Sequence, residues 1–172
     1  MSSYPFLKYC NKNRWDTYYK QLELAYMTGS KSFLIIGPGD HIVPVVLRHI
    51  IPDAIVDTFD IREGSTYQGE LKEISSIINK KYDCILCCEV LEHIEFEYFE
   101  IILNQLKSIC KKIIISIPKY TGKICKYHKW EVGYNTQTNI NSIKLCVDKV
   151  FESNRFDFEL NKIIFIKINC NE

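Results

Sequence analysis

The chain has 172 residues, of which 47% are hydrophobic and 25% are charged. These proportions predict one globular domain with a full core and exclude a fibrous or disordered protein. The 22 Lys and Arg nearly balance the 21 Asp and Glu, and the formal charge of +1 excludes a polybasic nucleic-acid coat. No apolar run is long enough for a transmembrane helix, and the first residues lack a signal-peptide pattern. We therefore expect a cytoplasmic protein with no membrane partner.

The first predicted elements are a helix, a strand and a second helix. Apolar residues recur at three-and-four spacing over 13–28, ahead of a glycine, which predicts a helix with a glycine C-cap. A short buried strand over 33–36 runs into the glycine turn 37–39, and Asp40 can cap a helix through about Ile50. The aromatic residues of the first helix either cover a ligand as a lid or pack on a sheet.

The rest of the chain continues this alternation. The predicted elements are a strand over 54–59 that ends at Asp60, a weak strand over 67–71, a short helix near 73–79, a strand over 84–88, a long helix over 91–111, a strand over 113–117, a loop over 119–139, a helix over 141–151 and a hairpin of 156–160 with 163–168, turned at Asn161 and Lys162. Strands that alternate with helices predict a parallel sheet between helices, and the final hairpin adds antiparallel strands at one edge.

The predicted fold class is therefore α/β, with a doubly wound, mostly parallel seven-stranded sheet and an antiparallel C-terminal hairpin. We expect a single domain over 1–172. In it, 1–30 forms an N-terminal helical segment and 31–172 forms the core. The oligomeric state stays open, because no sequence feature specifies it.

Eight cysteines raise the question of a zinc or disulfide site, and Cys84 and Cys87 have the spacing of a metal knuckle. They lie in an apolar run that is typical of a buried strand, where residues three apart point to opposite faces. We therefore predict that Cys84 and Cys87 are core residues. All eight thiols are expected to be free, as is usual in a reducing compartment.

Ligands of a doubly wound sheet bind at the carboxyl ends of its strands, so the residues that follow each strand are the site candidates. Gly37-Pro38-Gly39 either lets a ligand approach the backbone or is only a strand-to-helix turn. Asp60 can accept hydrogen bonds from both ribose hydroxyls of an adenosine, unless it caps a loop. Glu70 either flanks the adenine or is solvated.

A second group of candidates begins at Glu89, directly after the 84–88 strand. On the predicted helix, Glu89, Glu92 and His93 occupy positions i, i+3 and i+4 and share one face, which is a metal-ligand geometry. His128 lies in the loop after the next parallel strand, at the same edge of the sheet. The alternatives are a buried or cofactor-packing role for Glu92 and His93 and a solvated loop position for His128.

The distribution of charge bears on the kind of ligand that the protein binds. Between 101 and 130 the chain has seven lysines and no Asp or Glu: Lys107, Lys111, Lys112, Lys119, Lys123, Lys126 and Lys129. This run of lysines either attracts an anionic ligand or only neutralises the five glutamates between 89 and 100.

These segments together resemble the class I S-adenosylmethionine-dependent methyltransferases. The resemblance covers 33–168 and rests on the segments 33–40, 56–60, 67–70, 82–94 and 113–118. The glycine motif departs from the family pattern, with Ile35 at a usually acidic position and His41 at the third glycine. The resemblance implies S-adenosylmethionine as cofactor, bound by Gly37, Pro38, Gly39, Asp60, Ile61, Glu70, Leu71, Cys88 and Glu89.

The stretch Glu89-Val-Leu-Glu-His93 resembles the Glu-x-x-Glu-His motif of the ubiquinone-biosynthesis O-methyltransferases and of the small-RNA 3′-terminal 2′-O-methyltransferases. In the RNA enzymes a later His-Lys-aromatic-Glu segment completes a divalent metal site, and the segment that starts at His128 matches it here, with Trp130 at the aromatic position. The resemblance implies that Glu89, Glu92, His93 and His128 form a catalytic metal centre for Mn, Mg, Fe, Co or Zn.

The resemblance predicts metal-assisted O-methylation of a small or phosphorylated acceptor. Two alternatives stay open. One is 2′-O-methylation of an RNA 3′ end, which the His128 segment and the loop lysines favour. The other is a methyltransferase-like binding subunit without activity, which the altered glycine motif permits.

Overall fold

The computed structural model describes residues 11–151, 155–160 and 162–170. Among them, α-helices lie at Lys12–Tyr26 (α1), Ile42–Ile50 (α2), Ile74–Ile77 (α3), Phe99–Ile109 (α4) and Ile140–Phe151 (α5). Strands lie at Ser32–Ile36 (β1), Ile55–Asp60 (β2), Tyr67–Gln68 (β3), Cys84–Cys88 (β4), Lys112–Pro118 (β5), Arg155–Leu160 (β6) and Ile163–Asn169 (β7). Short 3-10 turns lie at Leu71–Glu73, Leu91–His93 and Phe96–Tyr98. None of the described helices is long and apolar enough to cross a membrane.

The strands form one seven-stranded sheet in the order β3-β2-β1-β4-β5-β7-β6. The strands β1 to β5 are parallel to one another, whereas β7 pairs antiparallel with both β5 and β6. This confirms the predicted fold class. The hairpin pairs Leu160 with Ile163, and the predicted turn residue Asn161 lies outside the described residues. Residues 1–10 of the predicted N-terminal segment also lie outside them.

The pairing register of the central strands determines which residues lie together at the carboxyl edge of the sheet. In β1, Ile36 is paired with Phe59 of β2 on one side and with Cys87 of β4 on the other. The residues that follow these three positions therefore lie side by side at the carboxyl edge of the sheet. They are Gly37, Asp60 and Cys88, all of which the sequence predicts as cofactor residues.

Each face of the sheet has its own apolar core, and β4 contributes alternately to both. Cys84 and Leu86 pack in the core beneath α1 and α2, whereas Ile85 and Cys87 pack in the core beneath α4 and α5. Because Cys84 and Cys87 are fully buried on opposite faces, their prediction as core residues is confirmed. The seven described cysteines are free, and Cys10 lies outside the described residues.

The prediction of one long helix over 91–111 is wrong at its start. The 3-10 turn Leu91–His93 ends at an extended Ile94, and the α-helix α4 begins only at Phe99. The physical reason is a pair of tertiary hydrogen bonds. The backbone N–H of Lys129 donates to the Glu92 carbonyl at 2.6 Å, and the Trp130 indole donates to the Ile94 carbonyl at 2.8 Å. These carbonyls therefore bind the following loop instead of the next turn of a helix.

Candidate cofactor pocket and metal centre

A cavity of about 560 Å³ lies at the carboxyl ends of β1, β2 and β4. Its size is that of a pocket for a small organic ligand. Its walls include all nine residues that the sequence predicts to bind the cofactor: Gly37, Pro38, Gly39, Asp60, Ile61, Glu70, Leu71, Cys88 and Glu89. The structure therefore brings together residues from four separate segments of the chain.

The glycine turn forms the part of the wall next to β1. Gly37 has φ +60, and a Cβ atom there would lie 2.5 Å from Cγ2 of Val90, which also lines the cavity. This close approach explains why the first position of the turn is glycine. His41, at the family's third glycine, also has a positive φ of 64 and is the N-cap residue of α2. The prediction of Asp40 as the helix cap is therefore wrong by one residue, although Asp40 accepts a 3.3 Å hydrogen bond from the Ile42 N–H at the start of α2.

Asp60 is a nearly buried carboxylate with its partners already in place. It accepts hydrogen bonds from the backbone N, Nε and Nη2 of Arg62 at 3.0, 3.1 and 2.8 Å. Burial acts to raise the pKa of Asp60, but the Arg62 hydrogen bonds outweigh it and the pKa lies below its usual value. The wall of the cavity therefore presents an ionised carboxylate that is already hydrogen-bonded to Arg62.

The helix α1 closes another side of the cavity through Arg14, Tyr18 and Gln21. Arg14 donates to the Glu89 carboxylate at 2.8 Å and to the Tyr18 hydroxyl at 3.0 Å, and Tyr18 donates to Asp40 at 2.6 Å. Tyr18 also packs in the core beneath α1, so the helix both packs on the sheet and lines the cavity.

Sequence reasoning missed Arg14 and Arg62. The amino-acid composition could have pointed to them, because the chain contains only four Arg against 18 Lys. Where lysine is the default cation, an arginine is a sign that its planar, bidentate geometry is needed. Two of the four arginines line this cavity.

A cluster of three donors lies beside the cavity. Glu92, His93 and His128 each offer one ligand atom, and these atoms all lie within 4.8 Å of one another. The side chain of Glu92 is almost completely buried, and neither carboxylate oxygen has a hydrogen-bond partner among the described residues. Its Oε1 lies 3.9 Å from Nε2 of His128. Burial raises the pKa of Glu92 well above its usual value. A buried, unpartnered carboxyl is costly, and a bound cation would satisfy it.

Both histidines are oriented by oxygen acceptors. Nδ1 of His93 lies 3.0 Å from the Tyr127 carbonyl, and Nδ1 of His128 lies 2.8 Å from Oε1 of Glu131. A carbonyl oxygen only accepts, so Nδ1 of His93 carries the proton, and the carboxylate of Glu131 favours the same tautomer in His128. In the neutral form of each imidazole, Nε2 is then the nitrogen that can accept a metal ion. Histidines that ligate metals are held in this way.

The loop that supplies His128 is anchored by Trp130. The Trp130 side chain is 2% exposed and packs edge-on against Phe96 and Phe99, at centroid distances of 5.0 and 5.6 Å. Together with the backbone bond from Lys129 to Glu92, this packing fixes the loop over the 3-10 turn. The aromatic position of the His-Lys-aromatic-Glu segment therefore has a structural purpose, which is to set His128 beside Glu92.

The shared helix face predicted for Glu89, Glu92 and His93 is wrong, because these residues do not lie on an α-helix. Glu89 directly follows β4 with φ 55, and its carboxylate contacts Arg14 on the cavity wall. The cluster is made instead by a 3-10 turn and a loop. The role of Glu89 as a metal ligand stays a prediction.

The donor set of the cluster fits a divalent transition metal. Two imidazole nitrogens and one carboxylate suit Fe²⁺, Co²⁺, Zn²⁺ and Mn²⁺ better than Mg²⁺, which prefers oxygen ligands. The unpartnered Glu92 oxygens and the two oriented imidazoles are the observations that support this fit.

The seven lysines between 101 and 130 do not form one patch. Four of them hold the fold by contacts with carbonyl or carboxylate oxygens: Lys107 with Val150, Lys111 with Asp83, Lys112 with Thr28 and Lys119 with Glu159. Lys129 lies 3.8 Å from Glu95 in the loop beside the cluster, and Lys72, outside the run, lines the cavity. The positive charge near the site is therefore smaller than the sequence predicts.

No protein-family model and no curated protein matches the sequence. Solved structures do match. The N-methyltransferase NodS of Bradyrhizobium japonicum, in complex with S-adenosyl-L-homocysteine, has a TM-score of 0.70 at 12% identity, covering 98% of this chain and 92% of that chain. A SAM-dependent methyltransferase from Archaeoglobus fulgidus has a TM-score of 0.70 at 16% identity, covering 96% and 99%.

An O-methyltransferase family protein from Burkholderia thailandensis has a TM-score of 0.73 at 7% identity, covering 93% of this chain and 57% of that one. The chain therefore spans little more than half the length of that protein. At these identities the likeness concerns the fold. The chain has the Rossmann-like fold of the S-adenosylmethionine-dependent methyltransferases.

Proposed function

We propose that the protein is an S-adenosylmethionine-dependent methyltransferase that methylates a hydroxyl group, with the help of a divalent metal, on a small or phosphorylated acceptor. The observation that carries this proposal is Glu92, a buried carboxyl without a hydrogen-bond partner, beside two histidines whose Nε2 atoms are acceptors. His93 belongs both to this cluster and to the wall of the cavity. Cofactor pocket and metal centre therefore adjoin.

The roles of the cofactor, the metal ion and the protein follow from the chemistry of methyl transfer. The bound cofactor would supply an activated sulfonium methyl, so the protein mainly has to bind and align the acceptor. A bound divalent ion would supply a Lewis acid that favours deprotonation of a hydroxyl. In the chain itself, Gly37 and Asp60 form the cofactor wall, and Glu92 with His128 forms the buried half of the metal centre. An amine acceptor would not need this centre, which is why we propose O-methylation.

An RNA 3′ end is the second candidate acceptor. Its terminal ribose carries two adjacent hydroxyls close to a phosphate. Lys72 on the cavity wall and Lys129 on the loop offer positive charge next to the centre. Glu95 lies 3.7 Å from Lys72 and 3.8 Å from Lys129 and reduces that charge. The lysines therefore favour an anionic acceptor without selecting RNA over a small phosphorylated molecule.

The test is methyl transfer from labelled S-adenosylmethionine, with Mn²⁺ or with a chelator. The acceptors are a pool of phenols and catechols, a pool of phosphorylated metabolites, and short RNAs with either a 2′-hydroxyl or a 2′-deoxy 3′ end. We expect transfer that a chelator stops and that Glu92→Gln abolishes. Transfer that neither treatment affects would exclude the metal's role. Cofactor binding without transfer to any pool would favour a binding subunit.

A further inference from the structure

Two cysteines from distant parts of the chain lie together at the edge of the sheet opposite the cavity. Cys110 follows α4, and Cys170 follows β7, whose last residue Asn169 pairs with Lys112 at the start of β5. Their Sγ atoms lie 3.9 Å apart, and the two residues are only 6% and 8% exposed. No other pair of described cysteines has its sulfur atoms within hydrogen-bonding distance.

We propose that Cys110 and Cys170 are a modification site, at which a hydroperoxide oxidises the two thiols to a disulfide bond that stabilises the fold. The bond would link the end of α4 to the end of β7 and enclose residues 111–169. This inference does not rest on the proposed function, because neither cysteine lines the cavity or belongs to the three-donor cluster.

Cys170 is the more reactive thiol of the pair. The hydrogen bond from Cys110 lowers the pKa of Cys170 below its ordinary value, burial opposes this effect, and the positive charge of Lys107 reinforces it. Lys107 is held in place because its Nζ donates to the Val150 carbonyl at 2.7 Å. The thiolate is the form of cysteine that reacts with peroxides. The surroundings of Cys170 therefore favour its oxidation.

Cys110 is placed to complete the disulfide bond. Burial raises the pKa of Cys110, so this residue stays a thiol. The backbone beside it is fixed, because the Lys111 N–H donates to the Tyr82 carbonyl at 3.1 Å and the Cys170 N–H donates to the Lys111 carbonyl at 2.7 Å. A disulfide bond is about 2.05 Å long, so the sulfur atoms must approach each other by about 1.9 Å. Rotation about the two Cα–Cβ bonds supplies such a displacement without movement of the backbone.

The oxidation proceeds in two balanced steps, written here for hydrogen peroxide. The Cys170 thiolate attacks one peroxide oxygen, the O–O bond breaks, and Cys170 becomes a sulfenic acid. The hydroxide that leaves takes up the proton released by Cys170 and becomes water. The Cys110 sulfur then attacks the sulfenic sulfur, the S–O bond breaks, and the hydroxyl group leaves as a second water with the proton of Cys110. The peroxide gains the two electrons that the two thiols lose.

The expected consequence is a more stable fold. A disulfide bond stabilises mainly by restricting the unfolded chain, and the effect grows with the length of the enclosed loop. The enclosed residues 111–169 include β5, the loop that carries His128, α5 and β6. We therefore expect oxidation to raise the melting temperature by about 5 °C or more.

The experiment is oxidation of the reduced, chelator-treated protein with one equivalent of hydrogen peroxide. The remaining thiols are then blocked, and the protein is digested with trypsin without a reducing agent. Cleavage after Lys107, Lys111 and Lys167 gives the peptides 108–111 and 168–172, each of which contains one cysteine. We expect mass spectrometry to find these two peptides linked to each other, and calorimetry to find the higher melting temperature.

Three variants test the roles of the two sulfur atoms. In Cys110→Ala, oxidation should stop at a sulfenic acid on Cys170, which dimedone labels, and the melting temperature should not rise. In Cys170→Ala, Cys110 should remain a thiol. Cys146→Ala is the matched control, because Cys146 is a partly buried cysteine on α5, outside the pair. It should keep both the peptide link and the rise in melting temperature.

Each contrary result would overturn a defined part of the inference. Oxidation of the exposed Cys125 while the peptides 108–111 and 168–172 stay separate would overturn the site itself. Linked peptides with an unchanged melting temperature would overturn the stabilising role. Absence of dimedone labelling at Cys170 in Cys110→Ala would overturn the assignment of Cys170 as the thiol that is oxidised first.

Discussion

Asp60 and Glu92 are two acidic residues at the same edge of the sheet, and the protein treats them in opposite ways. Asp60 accepts three hydrogen bonds from Arg62, which lower its pKa in spite of burial. Glu92 is buried without a hydrogen-bond partner in the part of the chain that the structure describes, and its pKa is raised. One carboxyl is held as an ion before any ligand arrives. The other is left as a group that only a ligand could satisfy.

The difference shows how the two halves of the site are organised. At Asp60 a ligand must compete with Arg62, so binding there exchanges one hydrogen-bond partner for another. At Glu92 the fold accepts a cost of the order of 1–3 kcal/mol for an unpartnered polar group. Groups that destabilise a fold in this way concentrate at functional sites.

The largest expected effect is loss of the metal centre. Glu92→Gln replaces the one carboxylate of the three-donor cluster by an amide, which is a weak metal ligand. We expect Mn²⁺ affinity, measured calorimetrically, to fall by about 100-fold or more, which corresponds to about 2.7 kcal/mol. The control is Glu97→Gln, an exposed position nearby, which should bind Mn²⁺ as the wild type does. Unchanged binding by Glu92→Gln would leave Glu92 as a structural residue.

The same variant should change the pH dependence of stability. Without metal, native Glu92 keeps a proton that the unfolded chain releases above a pH of about 4.3. The free energy of unfolding therefore falls as the pH rises, by up to about 1.4 kcal/mol per pH unit, until the native pKa is reached. Glu92→Gln removes this loss, so the variant should gain stability relative to the wild type as the pH rises above about 5. Denaturant unfolding in chelator measures it, and an advantage independent of pH contradicts the assignment.

Much of the fold could be predicted because its signals are local. The apolar run of β4, bounded by polar residues, predicts a buried strand, and burial of Cys84 and Cys87 on opposite faces follows from the two-residue period of strands. The start of the 91–111 helix could not be predicted. Its carbonyls are taken by Lys129 and Trp130, which lie far along the chain.

The site was predictable to the extent that it follows from strand ends. Gly37, Asp60 and Cys88 lie close together because the ends of their strands are in register. Their proximity could therefore be predicted as soon as the strands were predicted. The partners of the acidic residues were not predictable. Arg14 reaches Glu89 from a helix 75 residues away in the sequence, and no periodicity encodes such a contact.

Asp60→Ala should weaken the cofactor half of the site. A ribose held by Asp60 loses charged hydrogen bonds, so we expect S-adenosylhomocysteine affinity to fall by about tenfold or more, or at least about 1.4 kcal/mol. Mn²⁺ affinity without cofactor should stay within a few-fold, because Asp60 lies outside the three-donor cluster. Asp53→Ala, at an exposed turn before β2, is the control. Equal cofactor affinity in wild type and Asp60→Ala would remove the ribose contact from the site.

The smallest expected effect is that of substituting Glu131, which is hydrogen-bonded to His128. Glu131 accepts one hydrogen bond from Nδ1 of His128 at 2.8 Å and another from the Cys125 N–H at 3.0 Å. Glu131→Gln therefore weakens the orientation of the imidazole without removing a ligand. Substitutions behind a metal ligand cost 10–100-fold in affinity, and we expect the lower end, about tenfold, because glutamine can still accept one hydrogen bond.

A double-mutant cycle tests whether this effect passes through His128. If Glu131 acts only by orienting the imidazole, Glu131→Gln should change Mn²⁺ affinity in the wild type and leave it unchanged in a His128→Ala background. A general loosening of the loop would instead lower affinity about equally in both backgrounds, because His93 and Glu92 would also be displaced. Additive effects would therefore assign Glu131 to the loop, and a coupling near the full single-mutant effect would assign it to His128.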